Sequence, residues 1–148
     1  MSILGNGNVA IDIARVFLKG YDLMKNTDTH TSVLDNLKRS NLKTVEIIGR
    51  RGIIQSAFTT KEIRELTKIP GLELVIVKEE LERSMNEESL VEIKPGKALS
   101  SRAVKRRTDF LKETCAIISE KDLESTRSDL TKKLIFRYLV EPDSVSVD

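Results

Sequence analysis

The sequence predicts an α/β fold, a parallel sheet with helices packed on it. Three observations carry this. A glycine turn, Gly5-Asn6-Gly7-Asn8-Val9-Ala10, follows a short apolar run and opens a stretch of helical periodicity. Two further runs, Thr44-Val45-Glu46-Ile47-Ile48 and Leu72 to Val77, are β-branched and bounded by glycine. Helical patterns lie between these runs, and strands alternating with helices give parallel pairing through crossovers. The turn fits G-x-G-x-x-A, so the expected architecture is Rossmann-like: a three-layer parallel sheet with flanking helices.

Each small residue of the turn has a task. Gly5 permits the bend out of the first strand, Gly7 lets a phosphate approach the backbone, and Ala10 fits where helix crosses strand. The helix, roughly residues 8–19, points free N–H groups and a partial positive charge at the turn. Val9, Ile13, Val16 and Phe17 fall at helical spacing and are expected to face the sheet. Only Met1 to Leu4 precede the turn, whereas a strand needs about five residues. The first strand therefore reads as cut short and the domain as incomplete.

Gly20-Tyr21-Asp22 breaks the helix, and a polar stretch leads to a short helix from Ser32 to Arg39 with Val33, Leu34 and Leu37 on its apolar side. Thr44 to Ile48 then closes a βαβ unit, with residues 21–43 as an insertion. Thr59 and Glu62 have capping-box spacing at the head of a helix carrying Ile63, Leu66 and Ile69, which Pro70-Gly71 ends. Leu72 to Val77 is apolar on both faces, as a buried parallel strand is. Glu79 to Glu92 reads as a short helix and loop. The longest helix is expected from Ser100 to Ile118. Val104, Thr108, Leu111, Cys115 and Ile118 recur along it, which places Cys115 in the packed face as an inert thiol. Leu134 to Val140 is the last full strand, broken at Glu141-Pro142-Asp143. Residues 144–148 read as the start of another strand.

Composition narrows the function. The 148 residues suit one domain, and 39% hydrophobic against 32% charged is enough for one core. A net charge of +2 implies neither nucleic acid nor a membrane surface. A charged partner must be read by a local patch. One cysteine excludes an internal disulfide, and one cysteine with one histidine excludes a zinc site of the usual ligands. No apolar run approaches the ~20 residues of a membrane span, and no targeting segment precedes the first motif. A metal site and catalytic side chains are not expected, and the oligomeric state is left open.

Arg50-Arg51 follows the second strand, where this fold meets the adenosine ribose. An acidic residue there binds the 2′-hydroxyl of NAD, and a basic one accommodates the 2′-phosphate of NADP. The planar fork of arginine makes charge-assisted bonds to phosphate. At ~1.5–3 kcal/mol each, two such bonds favour NADP(H) over NAD(H) by roughly two to four powers of ten. The bland reading is a solvated pair at a strand end, and the insertion must leave the βαβ core for the spacing to fit. Further on, Arg102, Lys105, Arg106 and Arg107 cluster at the start of the long helix, the end its dipole disfavours for cations. They read either as a solvated face or as a docking surface for an acidic protein. No aromatic residue interleaves with them, which argues against nucleic acid.

Gly5 to Arg15, then Gly49-Arg50-Arg51-Gly52 with Gln55, Ala57-Phe58-Thr59 and residues 61–65, resemble the NADP-binding segment of the adrenodoxin reductase family, the mitochondrial-type ferredoxin–NADP+ reductases. The resemblance is clear over residues 3–71, weak over 72–99, and returns loosely in the basic helix and in Leu134 to Pro142. Ile53 stands where the family often has proline. Members of the family are flavoproteins with an FAD domain and an inserted NADPH domain, and electrons pass from NADPH through FAD to a ferredoxin. The resemblance implies that Asn6, Gly7, Asn8 and Val9, with the motif glycine Gly5, contact the pyrophosphate. It implies that Arg50 and Arg51 hold the 2′-phosphate and that Glu62 lies by the nucleotide. It further implies that Arg64, Arg102 and Arg106, with Lys105 beside them, dock an acidic [2Fe-2S] ferredoxin, and that the parent is mitochondrial or mitochondrion-related. No FAD fingerprint is present, so this chain is expected to bind NADP(H) without catalysing, since flavin chemistry belongs to the cofactor. Two other readings stay open: the NADPH domain of a flavoprotein of the glutamate synthase small-subunit type, and a non-enzymatic nucleotide- or protein-binding module.

Overall fold

Short runs of alternating face build the sheet. In this computed structural model, which describes residues 1–91 and 100–144, the strands are β1 (Ser2–Leu4), β2 (Thr44–Gly49), β3 (Leu72–Val77), β4 (Ala116–Ile118) and β5 (Lys132–Tyr138). They form one sheet in the order β1-β2-β5-β3-β4. All neighbours run parallel. The last strand in sequence therefore lies at the centre, with Val45 and Leu74 both beside Leu134, and Ile47 and Ile76 both beside Phe136.

The helices are α1 (Asn8–Met24), α2 (Thr31–Arg39), α3 (Thr60–Leu66), α4 (Lys78–Ser84), α5 (Glu87–Val91), α6 (Ser100–Thr114) and α7 (Leu123–Ser128). They cover the sheet unequally. Leu134, Phe136 and Tyr138 of β5 join Val45, Ile47, Leu74 and Ile76 in the main core, which α1, α3 and α6 close with Ile11, Leu18, Ile63 and Leu111. The other face carries a smaller cluster, in which Val75, Val77 and Ile135 meet Leu123 of α7. There the sheet is partly polar. Arg137 of β5 pairs at 2.6 Å with the fully buried Glu80 of α4, whose other oxygen accepts from the Tyr138 N–H at 2.7 Å. Glu46 of β2 pairs with Arg127 of α7.

Several expectations need correction. The face of α1 that packs inward is Ala10, Ile11, Ala14 and Leu18; Val9 is 71% exposed and Ile13 is also exposed. The phase of a helix is set by how its first turn is anchored, and the small Ala10 and Ala14 allow the close crossing. Gly20 does break the helix, with φ +65°, but a final turn resumes and runs to Met24. The insertion carries α2, which begins one residue early, capped by the His30 side chain accepting from the Ser32 N–H. It packs along α1, with Leu37 buried. The long helix stops at Thr114 rather than Ile118. Ala116–Ile118, with its two β-branched isoleucines, instead pairs with β3. Cys115 is buried as expected, and burial pushes its thiol up to about 12. The final strand is Lys132–Tyr138, because Leu139 turns out of extended geometry with φ +58°. The short helix α7 and a 3₁₀ turn at Ile53–Gln55 were not anticipated. Glu92 and residues 145–148, which enter the expected loop and further strand, lie outside the described residues.

Candidate functional site

The carboxyl ends of β1, β2 and β5 open onto a cleft of about 930 Å³, the position at which open α/β sheets bind ligands. Its lining includes Gly5, Asn6, Gly7, Gly49, Arg50, Arg51, Ala57 and the strap Val140, Glu141 and Pro142. The sheet leads the chain into it: the Gly5 N–H donates to the Ile48 carbonyl at 2.9 Å and continues the β1–β2 pairing by one step.

The glycines of the turn differ in their reasons. Gly5 has φ +124°, which a residue with a side chain rarely adopts. Gly7 has φ −130°, which suits any residue, and a Cβ there would meet no protein atom within 4 Å. Packing does not demand glycine at this position, so its bare backbone faces only the cleft. Gly49 is demanded by approach, since a Cβ would lie 2.8 Å from Asn6 Nδ2. Gly7 is also the N-cap of α1 and supplies no side-chain cap, and no acidic residue occupies the first turn. The free N–H groups at the head of this helix are thus left for an anion.

A second segment, residues 52–59, supports the turn from behind. The Ala57 N–H donates to the Asn6 carbonyl at 2.8 Å. Asn6 Nδ2 donates to Ser56 Oγ at 3.1 Å, and the Thr59 N–H donates to Asn8 Oδ1 at 3.0 Å. Thr59 then caps α3, its hydroxyl accepting from the Glu62 N–H as the capping-box spacing predicted. On the far side, Arg50 and Arg51 are exposed and make no ion pair among the described residues. The strap is tied beside them, Val140 N–H donating to the Gly49 carbonyl and Leu139 N–H to the Arg51 carbonyl.

The expected residues divide into three groups. Gly5, Asn6, Gly7, Arg50 and Arg51 share the cleft. Asn8 and Val9 stand beside it at the head of α1, and Glu62 lies apart from its lining, facing Arg15 at 3.8 Å. Arg64, Arg102, Lys105 and Arg106 gather around a shallow depression of about 420 Å³ between α3 and α6, with Phe110, Asp109 and Glu113. Arg64 stacks on Phe110 at 5.2 Å. Arg107 is not part of that surface, contrary to expectation. The helix turns it inward, where it donates to the carbonyls of Ile54 and Phe58. Ser56 and the strap were missed as site elements. Ser56 reaches Asn6 across 50 positions of sequence, and no local pattern announces such a contact.

No family model matches the chain. Among curated proteins it is 41% identical over 87 residues to the NADPH-ferredoxin reductase FprA of Mycobacterium tuberculosis, a match covering 59% of this chain and 19% of that protein. It is 38% identical over 141 residues to the mitochondrial NADPH:adrenodoxin oxidoreductase of Salvelinus fontinalis, covering 95% of this chain and 26% of that protein. The structure of M. tuberculosis FprA in complex with NADPH superposes with a TM-score of 0.77 at 28% identity, covering 99% of this chain and 29% of that one. The chain spans about a fifth to a quarter of the length of these curated relatives. Sequence and fold together place it with the adrenodoxin/ferredoxin reductase family.

Proposed function

We propose that this chain is the NADP(H)-binding portion of an FAD-dependent NADPH:ferredoxin (adrenodoxin-type) reductase. The observation that carries the proposal is the cleft itself. It sets an uncapped helix start and the open backbone of Gly7 at one end, and unpaired Arg50 and Arg51 at the other. A pyrophosphate suits the first and a 2′-phosphate the second. Val9 lies at the helix head, and the donor set fits a dinucleotide phosphate without any metal. The related FprA is known in complex with NADPH.

In this reading the chain's residues bind and orient. The α1 N–H groups and Gly5 to Gly7 seat the pyrophosphate, while the two arginines fix the adenosine end and select the phosphorylated cofactor. Bound NADPH supplies reducing equivalents to the flavin of the whole reductase. No side chain here is required to move a proton. Residues 21–43 are an insertion whose helix α2 packs along α1, and the FAD site belongs to other segments of the parent. Arg64, Arg102, Lys105 and Arg106 form the surface for an acidic [2Fe-2S] ferredoxin. The mitochondrial oxidoreductases among the relatives favour a mitochondrial or mitochondrion-related parent. Among the described residues no helix is long and apolar enough to cross a membrane.

Calorimetric titration of the chain with NADPH and NADH in phosphate-free buffer tests the proposal. NADPH binds more tightly by at least tenfold, the preference weakens with salt, and the double substitution Arg50→Ala, Arg51→Ala abolishes it. Equal affinity for the two nucleotides, or none for either, would overturn it.

A further inference from the structure

Arg107 is a buried cation with no acidic partner among the described residues. It is 8% exposed, and no carboxylate among the described residues pairs with it. Its Nη2 donates to the Ile54 carbonyl at 2.7 Å and its Nη1 to the Phe58 carbonyl at 3.3 Å, while the Phe58 ring centroid lies 5.9 Å from the guanidinium carbon. Its Nε has no hydrogen-bond partner among the described residues. Burying a charge against two neutral carbonyls is costly. A hydrophobic residue at an inward position of α6 would pack there at lower cost, as Leu111 does one turn later.

What the guanidinium holds gives the cost a purpose. Ile54 and Phe58 bracket Ser56 and Ala57, the two residues that tie to Asn6. The planar fork spans both carbonyls at once and fixes the curvature of the segment. With its ends held, the segment presents Ser56 Oγ and the Ala57 N–H to Asn6, and the Thr59 N–H to Asn8. Asn6 and Asn8 flank Gly7. Binding groups keep productive geometry only when the residues behind them are themselves held.

We propose that Arg107 is a positioning residue for the glycine turn: by pinning the carbonyls of Ile54 and Phe58 it holds residues 54–59 against Asn6 and Asn8, and so sets the affinity of the turn for the pyrophosphate of a dinucleotide. This rests on the nucleotide reading above and adds to it a residue that never touches the ligand. It implies a split that a general loss of stability would not produce. Weakening should appear for ligands that engage the turn, and not for a ligand that engages only the arginine end.

The test titrates the full chain with NADP+ and, separately, with adenosine 2′-monophosphate, which carries the 2′-phosphate and no pyrophosphate. Arg107→Met weakens NADP+ about tenfold and leaves adenosine 2′-monophosphate unchanged within about twofold. Arg107→Lys, which keeps the charge but not the fork, recovers part of the loss. Ser56→Ala, which removes the acceptor of Asn6, gives the same split with a smaller loss. Equal NADP+ affinity in the unchanged chain and Arg107→Met overturns the assignment alone, and so does parallel weakening of both ligands. Binding of neither ligand by the unchanged chain overturns the nucleotide reading and this assignment with it. If Arg107→Met does not fold, Ser56→Ala decides, and an unchanged NADP+ affinity there overturns the assignment.

Discussion

Glu80 shows how much of this molecule is settled by single side chains. Its carboxylate is fully buried, and it receives both the Arg137 guanidinium and the Tyr138 backbone N–H. Removing one member of a buried pair leaves the other charge without compensation, which is strongly destabilising. Glu80→Gln should lower unfolding stability by about 3 kcal/mol, measured by urea titration. A loss below about 1 kcal/mol would show that Glu46, 3.8 Å from Arg137, takes over the pairing. In sequence Glu80 is one charge in the run Lys78 to Glu82, and nothing local marks it as the buried one. Its partner Arg137 stands 57 positions away. Arg107 was read as part of the surface cluster for the same reason, since a cation that directly follows Lys105 and Arg106 reads as solvated. By contrast, Arg50 and Arg51 were legible, because their place follows from the end of a strand beside a glycine turn.

Elements were legible where their own chemistry fixes them. The capping residue Thr59 and the largely apolar β3 are local facts, and the structure places them as the sequence implied, although α3 stops at Leu66, short of Ile69 and of the Pro70-Gly71 expected to end it. The phase of α1 is not local. Its two candidate apolar stripes differ by one residue, and the choice depends on how closely the helix crosses the sheet. The strand β4 was hidden because three β-branched or small residues after a long helix continue its periodicity almost as well as they start a strand. The entry to β5 has its own electrostatic tie. Lys133 bonds to Asp129 at 2.6 Å and pairs with Glu73 at 3.4 Å. The Lys133 ammonium, helped by Thr131, holds the Asp129 carboxyl down from its ordinary 3.8 to about 2. A carboxyl with a lowered folded pKa stabilises the fold above its unfolded pKa and loses that contribution as pH falls through the folded one. The urea midpoint should therefore fall between pH 3.8 and about 2. It should fall less in Asp129→Asn, and parallel falls in the two proteins would show that the tie contributes nothing.

For the whole molecule, the sheet order decides both where the cleft lies and which segment borders it. β5 carries the strap beside Arg50 and Arg51, and the same strand joins β2 to β3. A chain ending at Thr131 loses the strand that, among the described residues, bridges the two halves of the sheet. Such a chain should show no cooperative thermal transition by circular dichroism. A retained transition would show that β1-β2 and β3-β4 can be held together by helices alone. The central position of β5 also bears on synthesis. A ribosome delivers β1 to β4 as two strand pairs that cannot yet meet, each with an apolar edge open to other chains. Pairing between segments so far apart in sequence is slow, and the strand that joins them arrives after both pairs. The interval before β5 emerges is therefore when this domain is in greatest need of a chaperone.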